Sequence, residues 1–290
     1  MRPSWSWACC RILFVEFPCN CLITRNTSFS VTTKTEKKKQ VYFLSDLHLG
    51  AKYLADPRGN EARVVRFLDS IHDRAAAVYL LGDVLDYWFE YRTVVPRGYV
   101  RFFGALARLA DAGVPVYWLT GNHDVWLFDY LRDELGLTVL KTHGQHHIMG
   151  KNFFLSHGDD VGYQRPMYRF MRFCFYNRVC QVLYAAVHPR WTYAVAHGWS
   201  TENRTSRKPQ EVVTQVELSV KNLWAFSNRY VVEHPEINYF IYGHLHVARQ
   251  ITLEGGQQMT FLGDWISQFT YATFDGDQLK LNVFDDEIGN

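Results

Sequence analysis

No uncharged apolar run in this sequence approaches the roughly 18 residues that a membrane span needs, so no bilayer-crossing segment is expected. A disulfide framework is missing too. Four of the six cysteines (Cys9, Cys10, Cys19, Cys21) crowd into the first 21 residues, and Cys174 and Cys180 sit far away in an aromatic stretch. A secreted scaffold would spread its cysteines through a short chain, and these spacings match no usual zinc pattern, which points to a reducing compartment, most simply the cytoplasm. Charge of one sign is scarce: the net charge is +2, residues 1–40 carry seven basic side chains against two acidic ones, and the rest of the chain sums to −3. A sequence-independent nucleic-acid binder carries a broad basic footprint, so no nucleic-acid partner is expected. No internal repeat is present.

What is there is a chain of 290 residues, 48% hydrophobic and 21% charged, enough for one large folded domain or two small ones. Residues 1–39 have no sustained period and end in a lysine run, while Arg11 and Glu16 interrupt any signal-peptide core. They read as a disordered or over-called extension, with a targeting role as the alternative, ahead of a domain over 40–290. From Val41 onward, short apolar runs alternate with helix-like segments, the signature of an α/β fold. The runs lie at 41–45, 77–81, 114–120, 152–156, 237–242 and 259–262, with helices over 60–74 and 99–112. Residues 161–235 contain no convincing strand and read as inserted helices.

Each of the first five runs ends at a polar cluster: Asp46-Leu-His48, Gly82-Asp83, Gly121-Asn122-His123-Asp124, Ser156-His157-Gly158-Asp159 and Gly243-His244-Leu-His246. Loops beyond strand C-termini are where α/β sheets bind ligands, so five such clusters point to one shared site. In Asp46-x-His48 and His244-x-His246 the paired residues are two apart, which lets both side chains project the same way from extended backbone. The donors are carboxylate, amide and imidazole without thiolate, a set suited to manganese, iron or zinc rather than calcium. Singly, a Gly-Asp or an Asp in a turn is ordinary turn chemistry; together the clusters make a metal site. His143, His146 and His147 read as a solvated turn around Gly144.

In order and spacing these motifs resemble the calcineurin-like metallophosphoesterase superfamily over about residues 41–275. The resemblance implies a four-layer αββα sandwich of two mixed sheets, here with a helical lid insertion over about 161–235, and two divalent ions at the strand ends, most simply Mn²⁺. Carried over by position, Asp46, His48, Asp83 and His246 hold one ion, and Asp83, Asn122, His157 and His244 hold the other. His123 is then expected beside the leaving-group oxygen. Asp124 either orients that imidazole or is a simple turn residue.

The insert carries the question of substrate. From Val161 to Thr201 it has five arginines (Arg165, Arg169, Arg172, Arg178, Arg190), no Asp or Glu, and many aromatic residues. Met167, Phe170, Met171, Cys174 and Phe175 are either the core face of an ordinary helix or part of a lid for a substrate, or an anionic inner-membrane surface, with greasy and charged parts. The stretches 82–91, around Tyr168, 199–200, 262–265 and 269–276 resemble a narrower branch, the UDP-2,3-diacylglucosamine diphosphatases of lipid A synthesis in their Bacteroidetes-type form. That resemblance implies an acylated UDP-sugar substrate cleaved to UMP and a sugar 1-phosphate, and a protein peripheral to the inner face of the cytoplasmic membrane with no obligate protein partner. It also implies substrate contacts from Asn122, His123, Trp88, Tyr168, Ser200 and Arg204. A soluble nucleotide or another phosphodiester is the alternative substrate.

Overall fold

Alternation along the first strand, β1 (Gln40–Leu44), already divides the interior into two: Tyr42 and Leu44 face one apolar cluster, Val41 and Phe43 another. The computed structural model describes residues 39–193 and 209–286. Among them, β1, β2 (Ala75–Leu81), β3 (Val116–Leu119) and β4 (Thr138–Leu140) run parallel. The hairpin β10 (Thr270–Phe274) and β11 (Leu279–Val283) extends this sheet antiparallel, giving the order β11-β10-β1-β2-β3-β4. The second sheet has the order β5-β6-β7-β9-β8, built from β5 (Gly144–Ile148), β6 (Lys151–Ser156), β7 (Tyr239–Tyr242), β8 (Ala248–Thr252) and β9 (Gln258–Leu262). Its three central strands are parallel and its two edges antiparallel, so both sheets are mixed.

Three apolar layers follow from the same two-residue period. Between the sheets, Val41, Phe43, Tyr79 and Leu81 meet Phe153, Leu155, Ile241 and Leu262. Outside the first sheet, Leu44, Val78 and Leu80 pack under α1 (Pro57–Ile71) and α2 (Val100–Asp111) through Val64, Phe67, Leu68, Phe102 and Leu106. A short helix, α3 (Tyr130–Leu135), adds Leu131 to that layer. Outside the second sheet, Phe154, Phe240 and Tyr242 pack against Val220 and Leu223, with Val216 and Tyr230 alongside. These come from a long helix, Pro209–Glu233, which follows α4 (Pro166–Tyr176) and α5 (Arg178–Ala185) and is called α6 here. The result is a four-layer αββα sandwich.

Two expectations change. Residues 209–233, expected to belong to an inserted lid, instead form α6, which turns an apolar stripe onto the second sheet and so makes a layer of the sandwich. The stretch around Gly144 is no turn: it is edge strand β5, in which His146 meets the Tyr79 ring edge-on and His147 pairs with Asn152.

Candidate metal centre

The parallel strands β1, β2, β3, β6 and β7 each deliver their motif at the C-terminal end, and the backbone leaves each strand sharply. Asp46, His48, Asp83, His244 and His246 all have positive φ, between 43° and 68°. For a residue with a side chain, that left-handed conformation costs about 1–3 kcal/mol and persists where the surroundings over-determine it. Five such residues at one place mean that the fold holds these side chains converging at the expense of local comfort. Close approach adds to this. A Cβ on Gly121 would run into the Asp83 carboxylate and backbone nitrogen, and one on Gly243 would strike Ser45 and Asp46, so both positions need glycine.

Two triads of donor atoms result, Asp46/His48/His246 and Asp83/His157/His244, with the atoms of each lying within 4.8 Å of one another. They abut: His48 Nε2 is 3.9 Å from Asp46 Oδ1 and 3.7 Å from Asp83 Oδ2, while His157 Nε2 is 3.3 Å from Asp83 Oδ2. His246 Nε2 lies 3.5 Å from Asp46 Oδ1. Asp83 therefore faces both groups. Asp46 Oδ1, His48 Nε2, Asn122 Oδ1, His157 Nε2 and His244 Nδ1 are buried atoms without a hydrogen-bond partner. A buried polar atom left unmet costs about 1–3 kcal/mol, and five in one place, all good ligands for a divalent ion, are an arrangement that metal satisfies.

In His48, His157 and His246 the far ring nitrogen has a partner, which aims the near one. His48 Nδ1 lies 3.2 Å from Asp86 Oδ1, His157 Nδ1 donates to the Leu81 carbonyl at 2.8 Å, and His246 Nδ1 is 3.4 Å from Asp264 Oδ2. Such outer partners fix the tautomer and ring orientation of a metal-binding histidine. Burial pulls the His48 pKa down to about 4, against the pull of Asp86, so the ring is neutral and its lone pair available at neutral pH. Burial and the neighbouring His157 lower His244 as well. Burial alone would raise Asp83, but His157, His123 and His48 around it hold its carboxyl well below the usual range.

His123 sits at the edge of the centre, its ring 4.8 Å from that of His48. Its backbone NH donates to Asp83 Oδ1 at 2.9 Å, and its Nδ1 donates to the Asp86 carbonyl at 2.9 Å, leaving Nε2 to face outward from this tether. Burial would lower its pKa, yet the negative charges of Asp83 and Asp86 raise it. Asp124 does not hold this imidazole. Its carboxylate accepts from the Gly121 and Val84 backbones at 2.7 and 2.9 Å and from Trp118 Nε1 at 3.1 Å, making it the brace of the turn. Burial, and then the charge of Asp83, push its pKa up to about 6.

Of the expected substrate contacts, Asn122 and His123 are at the centre and Tyr168 lies beside it, in a small cavity lined also by Gly121, Asn122, Val125 and Arg172. Trp88 is not at the surface. It is fully buried, packs edge-on against Phe103 and Tyr99, and donates Nε1 to Glu90 at 3.1 Å, because the chain after Asp83 turns into the first helical layer. Ser200 and Arg204 lie outside the described residues. The lysine-rich residues 1–38 do so too. His143, read as solvated, pairs with Asp160 at 2.7 Å. Reading the sequence also missed Asp86 and Asp264. Both lie in stretches that carry the narrower resemblance, and Asp86 follows Asp83 by three residues.

Helices α4 and α5 overhang these strand ends. Trp126 Nε1 donates to the Phe175 carbonyl, and the Tyr87 and Tyr184 hydroxyls meet at 3.2 Å. Neither helix buries a single residue fully; Phe175 and Tyr184 turn onto Trp126, but other apolar residues face outward, Met167, Phe170 and Phe173 being 70%, 61% and 62% exposed. On α5, Val179, Val182 and Leu183 continue the surface.

The family model described as calcineurin-like phosphoesterase matches residues 39–248. A UDP-2,3-diacylglucosamine hydrolase from Porphyromonas gingivalis is 40% identical over 260 residues, 86% of this chain and 99% of that one. One of the same name from Neisseria gonorrhoeae is 30% identical, covering 81% of this chain and 94% of that one. A dimetal phosphatase from Danio rerio has a solved structure similar at a TM-score of 0.42 and 15% identity, covering 85% of this chain and 96% of that one.

Proposed function

The chain belongs to the calcineurin-like phosphoesterase family, and we propose that it is a dinuclear-metal pyrophosphohydrolase that cleaves UDP-2,3-diacylglucosamine to UMP and 2,3-diacylglucosamine 1-phosphate. The observation that carries the choice of substrate is the outward apolar surface of α4 and α5, built directly against a site suited to phosphate chemistry. A substrate with a pyrophosphate and two acyl chains uses both; a small soluble ester has no use for the second. The names of the similar proteins from P. gingivalis and N. gonorrhoeae support the same substrate.

In this reading Asp46, His48, Asp83 and His246 hold one ion and Asp83, Asn122, His157 and His244 the other, with Mn²⁺ as the native metal. Two divalent ions held there would supply positive charge for phosphate oxygens and acidity for a water nucleophile. The chain's own residues do the rest. The Asp83 carboxylate stands between the two donor groups, so its charge is shared by both. His123, tethered through Nδ1 to Asp86, offers Nε2 to the oxygen that leaves with the sugar phosphate, where a protonated ring can give up a proton or offset growing charge. Asn122 and Tyr168 border the phosphate-side cavity.

The apolar helices, with Arg165 and Arg169 among them, also suit peripheral contact with an anionic inner-membrane surface from the cytoplasmic side. Among the described residues no helix is long and apolar enough to cross a membrane. Neither nucleic acid nor an obligate protein partner belongs to this reading.

The test is a phosphorus-NMR assay of the Mn²⁺-loaded protein with UDP-2,3-diacylglucosamine in mild detergent and, in parallel, a soluble phosphodiester. Chelator-sensitive release of UMP from the acylated substrate is expected. Hydrolysis of the soluble ester alone would keep the metal centre and discard the lipid substrate.

A further inference from the structure

Helix α4 is amphipathic in an unusual sense: its exposed side carries Met167, Phe170 and Phe173, and its polar side faces the protein. Its C-terminal turn rests on Trp126, which meets the Phe175 ring edge-on and donates to the Phe175 carbonyl. Its earlier turns are held by a polar cluster. Tyr168 and Arg172, four apart and so on one face of the helix, both reach Asp159: the Tyr168 hydroxyl donates to Oδ2 at 2.6 Å and Arg172 Nη1 donates to Oδ2 at 2.9 Å. The guanidinium also spans to Asp160, with Nη2 at 3.4 Å from Oδ2, and lies over the Tyr176 ring one turn further on, 4.7 Å from its centre. Asp160 in turn accepts from Ser156 Oγ at 2.8 Å and from His143 Nδ1 at 2.7 Å. The two carboxylates are almost fully shielded, with side-chain exposures of 2% and 7%.

The two aspartates stand two and three residues after His157, a residue of the metal centre, so the loop that delivers His157 also receives α4. Opposite the Tyr168–Arg172 face, across the small cavity, stand Gly121, Asn122 and Val125. The guanidinium on two adjacent carboxylates, together with the Tyr168 hydroxyl on Asp159, holds this part of the helix beside the cavity that Asn122 lines. Charge-assisted bonds in a shielded place are stronger and more directional than neutral ones, and a planar fork spanning two acceptors fixes orientation as well as distance.

We propose that Arg172 is a positioning residue: its pairing with Asp159 and Asp160 docks the Tyr168 face of α4 beside Asn122 and so shapes the substrate cleft, without Arg172 itself taking part in the reaction. This rests on the proposed hydrolysis of an acylated sugar nucleotide only for its kinetic readout. Losing the guanidinium loosens α4 and leaves Asp159 with the Tyr168 hydroxyl and Asp160 with Ser156 and His143 as side-chain partners; the ligand atoms of the metal centre stay on their own strand ends.

The experiment compares the full-length, Mn²⁺-loaded protein with Arg172→Ala and Arg172→Lys, measuring bound metal, amide hydrogen exchange over residues 166–176, and KM and kcat on the acylated UDP-sugar. Arg172→Ala is expected to speed exchange over α4 at least tenfold and to raise KM about tenfold, with kcat changed less than threefold and metal content retained. Arg172→Lys keeps the charge and is expected to recover most of the protection and the affinity. Unchanged exchange in Arg172→Ala overturns the proposal. So does a raised KM with normal exchange and no rescue by lysine, which would make Arg172 a direct substrate contact. Loss of metal together with kcat also overturns it, by making the residue a support of the metal centre. If the wild-type protein does not turn over the acylated substrate at all, the proposed function fails, and the exchange measurement still decides the role of Arg172.

Discussion

His48 Nδ1 lies 3.2 Å from Asp86 Oδ1, and this contact leaves His48 Nε2 facing Asp46 and Asp83. The Asp86 carbonyl receives His123 Nδ1 as well, so one residue orients a ring in the metal centre and the ring proposed as proton donor. Asp86→Ala is expected to lower metal affinity 10–100-fold, the usual cost of removing an outer partner. Asp86→Asn keeps the shape and one acceptor oxygen and falls between. Competition against a chelator of known affinity measures it, and unaltered affinity in the alanine variant would contradict the role.

Replacing His123 separates proton donation from metal binding. His123→Ala is expected to reduce kcat by about 10²–10⁴, the range for a lost general acid, while metal content stays full. Metal analysis alongside turnover checks this; loss of metal would move His123 into the coordination set.

Trp88 tests the difference between a substrate contact and a core residue. Fully buried against Phe103 and Tyr99, it is expected to cost about 3–5 kcal/mol of stability on truncation to alanine. Trp88→Phe is expected to restore much of that with KM unchanged. A stable Trp88→Phe protein with a strongly raised KM would return the residue to the cleft.

The His143–Asp160 pair gives a pH dependence with two limbs. Asp160 raises the pKa of His143 above its usual value, against partial burial, so the histidine's share of stability is complete below about pH 6.5 and fades as pH rises through the raised value. Burial opposes the ionisation of Asp160, but His143, Ser156 and Arg172 bring its pKa down to about 2. Its share is present above pH 3.8 and is lost as pH falls toward 2. Melting temperatures of wild type and His143→Ala across pH should therefore differ most between about pH 3.8 and 6.5, and converge both in alkali and as pH falls toward 2. A difference that grows from there into alkali would have the wrong sign.

What could be read from the sequence follows from how the signals arise. Strands β1, β2, β3, β6 and β7 are buried, so their apolar runs are dense and end abruptly at Asp46, Asp83, Asn122, His157 and His244. Edge strands β5, β8 and β11 alternate with exposed polar residues over five positions, and β4 spans three, too short and too polar to stand out. Asp86 and Asp264 escape because a single carboxylate near a motif has no period. Trp88 and Asp124 mislead for a related reason: nearness to a motif does not say which way a side chain turns, and Trp88 turns inward beyond the left-handed kink at Asp83 while the Asp124 carboxylate folds back onto Gly121, Val84 and Trp118.

The central claim is a two-metal centre that depends on Asp83. The direct measurement is the Mn²⁺ stoichiometry of the purified protein by equilibrium dialysis and elemental analysis, for wild type and Asp83→Ala, with turnover recorded on the same samples. Two ions per wild-type chain, less than one in Asp83→Ala and no detectable turnover by the variant are the predicted results. A single ion in the wild type, or near-normal metal content and activity without the Asp83 carboxylate, would contradict the account.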